Sequence, residues 1–265
     1  MTFDTEFFNL GYLDTLSYRD TFIHRLDPRV KLVVTSIFTI TVVSFPKYEV
    51  SGLIPYFLFP VLLFVLGDIP LRFILKKILT VSPFAFFLGI FNPIIDTHVI
   101  YILYGIPISG GWISLLSIIL KFFLTISAAL LLIATTSFPG ICSGLRRLGL
   151  PDIFVSQLLF LYRYIFVLME ETMKMVRARD MRSFGKNGSG IKIFVNLIGV
   201  LFIRTVERSE RIYQAMLSRG FKGKVESSKI YRISGTDIVF TMLALAVFYL
   251  FRKYRITGMF GKLLI

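Results

Sequence analysis

Five stretches of the chain are apolar and hold no aspartate or glutamate: residues 32–45, 50–66, 78–95, 112–138 and 238–251. Segments of this kind are costly to leave in water, and in a bilayer a backbone must satisfy its own hydrogen bonds. The pattern therefore predicts membrane-crossing helices. A composition of 55% hydrophobic residues, 28 Phe and a mean hydropathy of +0.74 excludes an ordinary soluble domain. The first run is short: 14 residues rise about 21 Å against a hydrocarbon core of roughly 30 Å, so it must borrow its flanks or thin the bilayer. Pro55 and Pro60 predict a kink in the second.

Charge orients these runs. The chain carries a formal +14, and residues 138–236 hold 17 Lys/Arg against 7 Asp/Glu, which assigns that region to the cytoplasmic side. Arg72, Lys76 and Lys77 read as a cytoplasmic turn, whereas residues 96–111 contain no Lys or Arg and read as an outer connection. Trp112 is a candidate aromatic anchor at the outer interface. Lys121 interrupts the fourth run; its position suits an ammonium reaching for the outer interface or a neighbouring subunit. Five spans leave Arg252, Lys253, Arg255 and Lys262 outside, against the usual bias, so an even number of spans is the rival topology.

Between the fourth and fifth runs lie a short amphipathic helix with Arg146 and Arg147, stopped by Gly149 and Pro151, and two long amphipathic helices. Shifting the first long helix by 40 positions onto the second superposes Glu170 on Glu210, Ala178 on Ser218 and Arg179 on Arg219. This weak internal repeat ends each helix on a small residue and an arginine, followed by Asp180 or Gly220. Capping by the guanidinium near the negative helix end accounts for one such arginine. Two matched copies point to a forked contact with a partner. Arg163, set among apolar neighbours, favours a helix lying along the inner interface, and Arg204, Glu207 and Arg211 mark a solvated face. Residues 185–190 have flexible-linker composition.

Upstream, Asp27-Pro28 fits a helix start, with the carboxylate capping free N–H groups and the proline in the first helical position. Arg29 and Lys31 then hold the inner end at the membrane edge. The mixed, acidic residues 1–20 read as an interfacial arm and lack the pattern of a cleavable signal. One cysteine, Cys142, and two distant histidines, His24 and His98, do not assemble a metal site. The glycines of residues 185–190 lack the lysine of a phosphate loop, so no nucleotide site and no cofactor are assigned, and ATP hydrolysis must come from another polypeptide. Nucleic acid is excluded as a partner, because no nucleic-acid motif accompanies the charge.

The run from His24 to Lys31, Leu145 to Pro151, Tyr162-Arg163-Tyr164 and the endings Ala178-Arg179-Asp180 and Ser218-Arg219-Gly220 together resemble the transmembrane T component of energy-coupling factor transporters, and the long arm before Asp27 and the overall length resemble its cobalt branch, CbiQ, more than the vitamin-shared EcfT branch. The resemblance implies an all-α integral membrane protein of the prokaryotic plasma membrane. About five transmembrane helices would be joined to a cytoplasmic-side domain of a short helix and two long crossed coupling helices. It divides the chain into an arm and interfacial motif (1–31, with Asp27, Pro28, Arg29 and Lys31), helices 1–4 (32–138), coupling helices (139–236) and a last helix with its tail (237–265). Arg179 and Arg219 become the arginines that engage two ATP-binding cassette subunits, with Ala178, Asp180, Ser218 and Gly220 as their motif neighbours. A separate CbiM-like membrane subunit, with a small accessory subunit, would hold the substrate. The first motif departs from Ala-Arg-Gly at Asp180. Nickel or a vitamin are alternative cargoes. A stand-alone membrane enzyme would need an acid/base cluster, and a self-contained channel or transporter would need acids within its spans, which these runs lack.

Overall fold

The computed structural model of the 265-residue chain describes residues 15–96, 99–103, 106–182, 191–223 and 233–254. In chain order, α1 (Phe22–Arg25) leads into α2 (Pro28–Val43), and a 3-10 helix (Ser51–Phe57) runs directly into α3 (Leu58–Gly67). Then come α4 (Leu71–Gly89), α5 (Asn92–Ile95), strands β1 (Val99–Leu103) and β2 (Ile106–Ser109), α6 (Gly110–Thr135) and α7 (Phe138–Arg147). Two long helices, α8 (Asp152–Arg182) and α9 (Ile191–Ser218), precede α10 (Gly235–Tyr254). The described residues form two units, one of residues 15–144 with 233–254 and the other of residues 145–182 with 191–223.

The protein is an all-α integral membrane protein. Among the described residues, Leu71–Ile94, Gly110–Thr135, Asp152–Met181 and Gly235–Lys253 are long and apolar enough to cross a bilayer, and Ser51–Gly67 is a shorter apolar helix. At 16 residues α2 rises about 24 Å, so it too needs its flanks to cross. The expected break in the second run appears as a change of helix type: Pro55 lies within the 3-10 segment and Pro60 in the first turn of α3. Arg72, Lys76 and Lys77 are not in a turn. They lie in the first two turns of α4, which begins at Leu71 and thus seven residues before the apolar run does. The outer connection is not featureless either, because β1 and β2 pair antiparallel in the register Tyr101 to Ile108 and Leu103 to Ile106.

In the first unit α6 is the shared element of two cores. Leu124 and Ala128 pack with Val34, Phe38 and Val42 of α2, Tyr56 of the 3-10 helix and Phe248 of α10. One turn further on, Leu131 and Ala134 pack with Ile23, Leu63, Ile74 and Ile78. Lipid is as apolar as these side chains, so helix association gains little from the hydrophobic effect and depends on close fit. The buried face of α6 supplies that fit with Gly110, Gly111, Ser114, Ser117, Ser127, Ala128 and Ala134. At Gly111 a Cβ would lie 2.4 Å from Pro93 Cα and 2.5 Å from the Asn92 carbonyl oxygen, so a side chain there would push α5 away. Ring contacts complete the fit: Phe38 stacks on Phe59 with centroids 4.5 Å apart, and the buried Tyr56 hydroxyl donates to the Phe248 carbonyl at 3.1 Å.

The end of α2 explains two cations that the sequence left without a place. Lys121 Nζ donates to the Phe45 carbonyl at 2.5 Å, at the end of α2 that leads into the outer connection, so the ammonium has a partner within this chain rather than on a neighbouring subunit. Arg252, in the last turn of α10, donates to the Ser44 hydroxyl at 3.1 Å and to the Thr41 carbonyl at 3.4 Å, and sits 5.1 Å from the Phe45 ring centroid. Both charges meet the negative end of the α2 dipole. Arg252 is therefore held by helix packing, which competes with any loop-charge bias on this residue. Arg255 and Lys262 lie outside the described residues.

Candidate functional site

Two groups of charged residues stand out in the sequence, and the structure treats them in opposite ways. At the start of α2, Asp27 is the N-cap: its Oδ1 accepts from the Arg29 N–H at 2.9 Å, and Pro28 occupies the first helical position as its fixed φ and missing N–H favour. The Arg29 Nε is 3.6 Å from the same carboxylate. Lys31 holds this helix start from the inside rather than from the surface. It is only 6% exposed, and its Nζ donates to the Thr135 carbonyl at 2.8 Å, where α6 ends and its unpaired carbonyls favour a cation.

The fourth charged member of this knot, Asp237, does not stand out in the sequence. It is 2% exposed; one oxygen accepts from the Asp27 N–H at 2.9 Å and the other from the Ser234 N–H at 2.8 Å. Ser234-Gly-Thr-Asp ahead of an apolar run carries a helix-start signal, but nothing local shows that its carboxylate reaches Asp27, 210 positions away. Gly144 of α7 packs against this same helix start, its absent Cβ standing 3.4 Å from the Arg29 nitrogen. Asp27 thus ties the beginning of α2 to that of α10, and Lys31 ties it to the end of α6, while Arg29 stays beside the Asp27 carboxylate.

Within the other unit α8 and α9 run antiparallel. Ser156 donates to the Gly223 carbonyl at 3.3 Å, Phe160 meets Phe221 with ring centroids 6.0 Å apart, and further along Arg204 pairs with Glu171 at 2.9 Å. Arg204 is therefore a bridge between the helices rather than a member of a purely solvated face. Between them lies an apolar groove formed by two adjoining hollows of about 270 and 370 Å³ that share Tyr164, Ser209 and Ile212.

The two repeat endings differ in local structure. At the second, Gly220 has φ +79°, its N–H bonds to the Leu217 carbonyl at 2.9 Å, and the Phe221 N–H bonds to the Met216 carbonyl at 3.0 Å. This pattern closes a helix on a left-handed residue, the conformation in which glycine meets no Cβ penalty. Gly149 closes α7 in the same way, with φ +107° and bonds from Gly149 to Arg146 and from Leu150 to Leu145. Arg219 is left exposed at the second tip.

At the first ending the expectation of a helix terminus fails. Ala178, Arg179 and Asp180 are helical, and α8 continues to Arg182. With aspartate in place of glycine there is no left-handed stop, and the side chain turns instead to its neighbour: Asp180 Oδ1 accepts from Arg179 Nη2 at 2.7 Å and from Nε at 3.1 Å. The linker at residues 185–190 and His98 lie outside the described residues. No group of three or more His, Cys, Asp or Glu placed to hold a metal occurs among the described residues.

Because Gly223 is level with Ser156, the second tip lies near the start of α8, whereas Arg179 lies 23 residues further along the same helix. At 1.5 Å per residue the arginines are separated by about 35 Å. Two exposed or half-exposed arginines at opposite ends of an antiparallel pair cannot serve one compact contact, but they suit two.

Comparison with known proteins accords with this architecture. Residues 19–230 match the cobalt transport protein family CbiQ. The energy-coupling factor transporter transmembrane protein EcfT of Brevibacillus brevis is 30% identical over 240 residues, covering 82% of this chain and 86% of that protein. EcfT of Bacillus subtilis is 28% identical over 254 residues, or 87% and 94%. A putative fused cobalt transport protein CbiMQ of Methanocorpusculum labreanum is 34% identical over 90 residues, 34% of this chain and 15% of that protein. The chain belongs to the CbiQ cobalt transport protein family, as a multi-pass membrane component of the energy-coupling factor transporter type in the prokaryotic plasma membrane.

Proposed function

We propose that the protein is the non-catalytic coupling subunit of an energy-coupling factor importer, and that its cargo is cobalt. Two ATP-binding cassette subunits bind and hydrolyse ATP on the cytoplasmic side. One engages Arg179 and the other Arg219, so closure of the ATPase dimer moves the far ends of α8 and α9 toward each other. The apolar faces of the two helices pass that movement to a separate membrane subunit that holds the substrate. Such coupling requires contacts that differ between the open and closed dimer, and in this reading the partners' grooves change their grip on the two separate tips as the dimer closes.

The observation that carries this reading is the antiparallel pairing of α8 and α9, which sets the two arginines about 35 Å apart. A dimeric motor offers two binding grooves, and a scaffold for it needs two contacts rather than one. The apolar first half of α8 with Arg163 in it, and the row Glu170, Glu171, Lys174, Arg177, Arg179 and Asp180 in its second half, fit a helix lying along the inner interface with both tips of the pair in reach of the cytoplasm.

The test is the double substitution Arg179→Ala, Arg219→Ala, assayed for ATPase co-purification and for uptake of radiolabelled cobalt by cells. A hydrogen bond to a charged group is worth about 1.5–3 kcal/mol, so without the two guanidiniums ATPase retention and uptake should each fall by more than about tenfold. The thermal midpoint should hold, because both side chains lie on the surface. Normal uptake by the double variant overturns the reading. A shared vitamin-uptake component is the second reading, favoured by relatives named EcfT that align over more than four-fifths of both chains. Identification of the membrane subunit that co-purifies, with uptake assays of cobalt, nickel and vitamins, separates the two.

A further inference from the structure

The internal repeat makes the two tips comparable position by position, and at one position they differ in charge. Arg219 is followed by Gly220, which has no side chain. Arg179 is followed by Asp180, whose Oδ1 takes hydrogen bonds from both Nη2 (2.7 Å) and Nε (3.1 Å) of the guanidinium. Neighbouring residues on a helix point about 100° apart, so the arginine stem must bend sideways along the helix to make this pair. Two of its five donors are then committed, and the net charge of the pair is zero. The side chains are 37% and 57% exposed, so the pair is in reach of solvent and of any partner.

We propose that Asp180 is a positioning residue that makes the first tip the weaker and more readily released of two contacts. This inference rests on the coupling reading. Before a partner's carboxylate or carbonyl can fork onto Arg179, it must displace Asp180 from the guanidinium. At Arg219 the following residue is Gly220, which offers no carboxylate to compete in this way. The two ATPase contacts are therefore unequal: the second tip anchors the motor, and the first exchanges. Exposed ion pairs contribute about 0.2–1 kcal/mol, which converts to a weakening of roughly 1.5- to 5-fold at the first tip.

The experiment titrates the ATPase subunits that co-purify with the wild-type chain onto full-length chain in nanodiscs. Asp180→Asn keeps the side-chain shape and removes the charge. It should tighten binding by about 1.5- to 5-fold at low salt, and by less at roughly 0.5 M salt, where exposed charges are screened. In an Arg179→Ala background the same substitution should change nothing, because Asp180 acts through Arg179. Unchanged or weakened binding by Asp180→Asn, or an equal gain in the Arg179→Ala background, overturns the proposal. If instead the ATPase subunits stay bound to the Arg179→Ala, Arg219→Ala variant, the coupling reading itself fails. If that variant is stripped while Asp180→Asn is inert, only the inference about Asp180 is overturned.

Discussion

The start of α2 and the tips of α8 and α9 use the same residue types to opposite ends. At the first, Asp27, Lys31 and Asp237 are all at most 6% exposed, and each reaches a backbone group of another helix or caps its own. At the second, Arg219 stands exposed and Arg179 is held in a surface ion pair with Asp180. A charge taken out of water must be bonded, and once bonded it resists movement. A charge left in water on a rigid helix costs little and stays available to a second molecule. The difference separates residues that hold the membrane unit together from residues that reach for a partner, although both stand out in the sequence as basic and acidic motifs.

The sharpest way to break this distinction is Asp237→Ala. The substitution leaves the Asp27 and Ser234 N–H groups without their acceptor in a buried setting, and removes a negative charge from beside Asp27, Arg29 and Lys31. We expect a destabilisation of about 2–4 kcal/mol, read as a fall in thermal midpoint in detergent, with uptake falling only as the folded fraction falls. Asp237→Asn, which retains one carbonyl oxygen, should lie between wild type and alanine. An unchanged midpoint together with abolished uptake would place Asp237 in the transport machinery and remove the contrast. A smaller effect is expected at the other end of α2: Lys121→Met should cost about 1–2 kcal/mol, because the Phe45 carbonyl is deprived of its charged donor while Arg252 remains nearby. ATPase co-purification should be untouched by it.

Local signals are legible in the sequence and long-range partners are not. Asp27-Pro28 announces a helix start because capping is decided within three residues, and Gly149 and Gly220 announce helix ends because a positive φ selects glycine. The internal repeat picks out both arginines. It misplaces the first ending, because a small residue and an arginine do not by themselves stop a helix, and Asp180 without a glycine lets α8 continue to Arg182. Arg72, Lys76 and Lys77 mislead in a related way: cations at the foot of an amphipathic helix have the same composition as cations in a turn. The long-range partners of Lys121 and Asp237 have no local signal at all, since Phe45 and Asp27 lie 76 and 210 positions away.

The smallest expected effect concerns His24, which belongs to the same buried end as Lys31. Its Nε2 lies 3.1 Å from the Leu16 carbonyl and so carries the proton, leaving Nδ1 to accept from the Thr21 hydroxyl at 2.7 Å. Burial, then the nearby Lys31 charge, holds its pKa below the ordinary 6.5, with Arg19 adding to the effect and the backbone hydrogen bonds opposing it. A depressed folded pKa means that the neutral ring is the form that stabilises the fold. That contribution is complete above about pH 6.5 and is lost as the pH falls through the lower, folded value. The ring is only partly buried and a charged Nδ1–H still finds the Thr21 oxygen, so the midpoint should drop by about 2 °C at most between roughly pH 7.5 and 5.5. His24→Gln, which cannot titrate, should remove this part of the pH slope and leave ATPase binding at the arginine tips unchanged; a midpoint that rises on acidification would mean that the charged ring is the stabilising form.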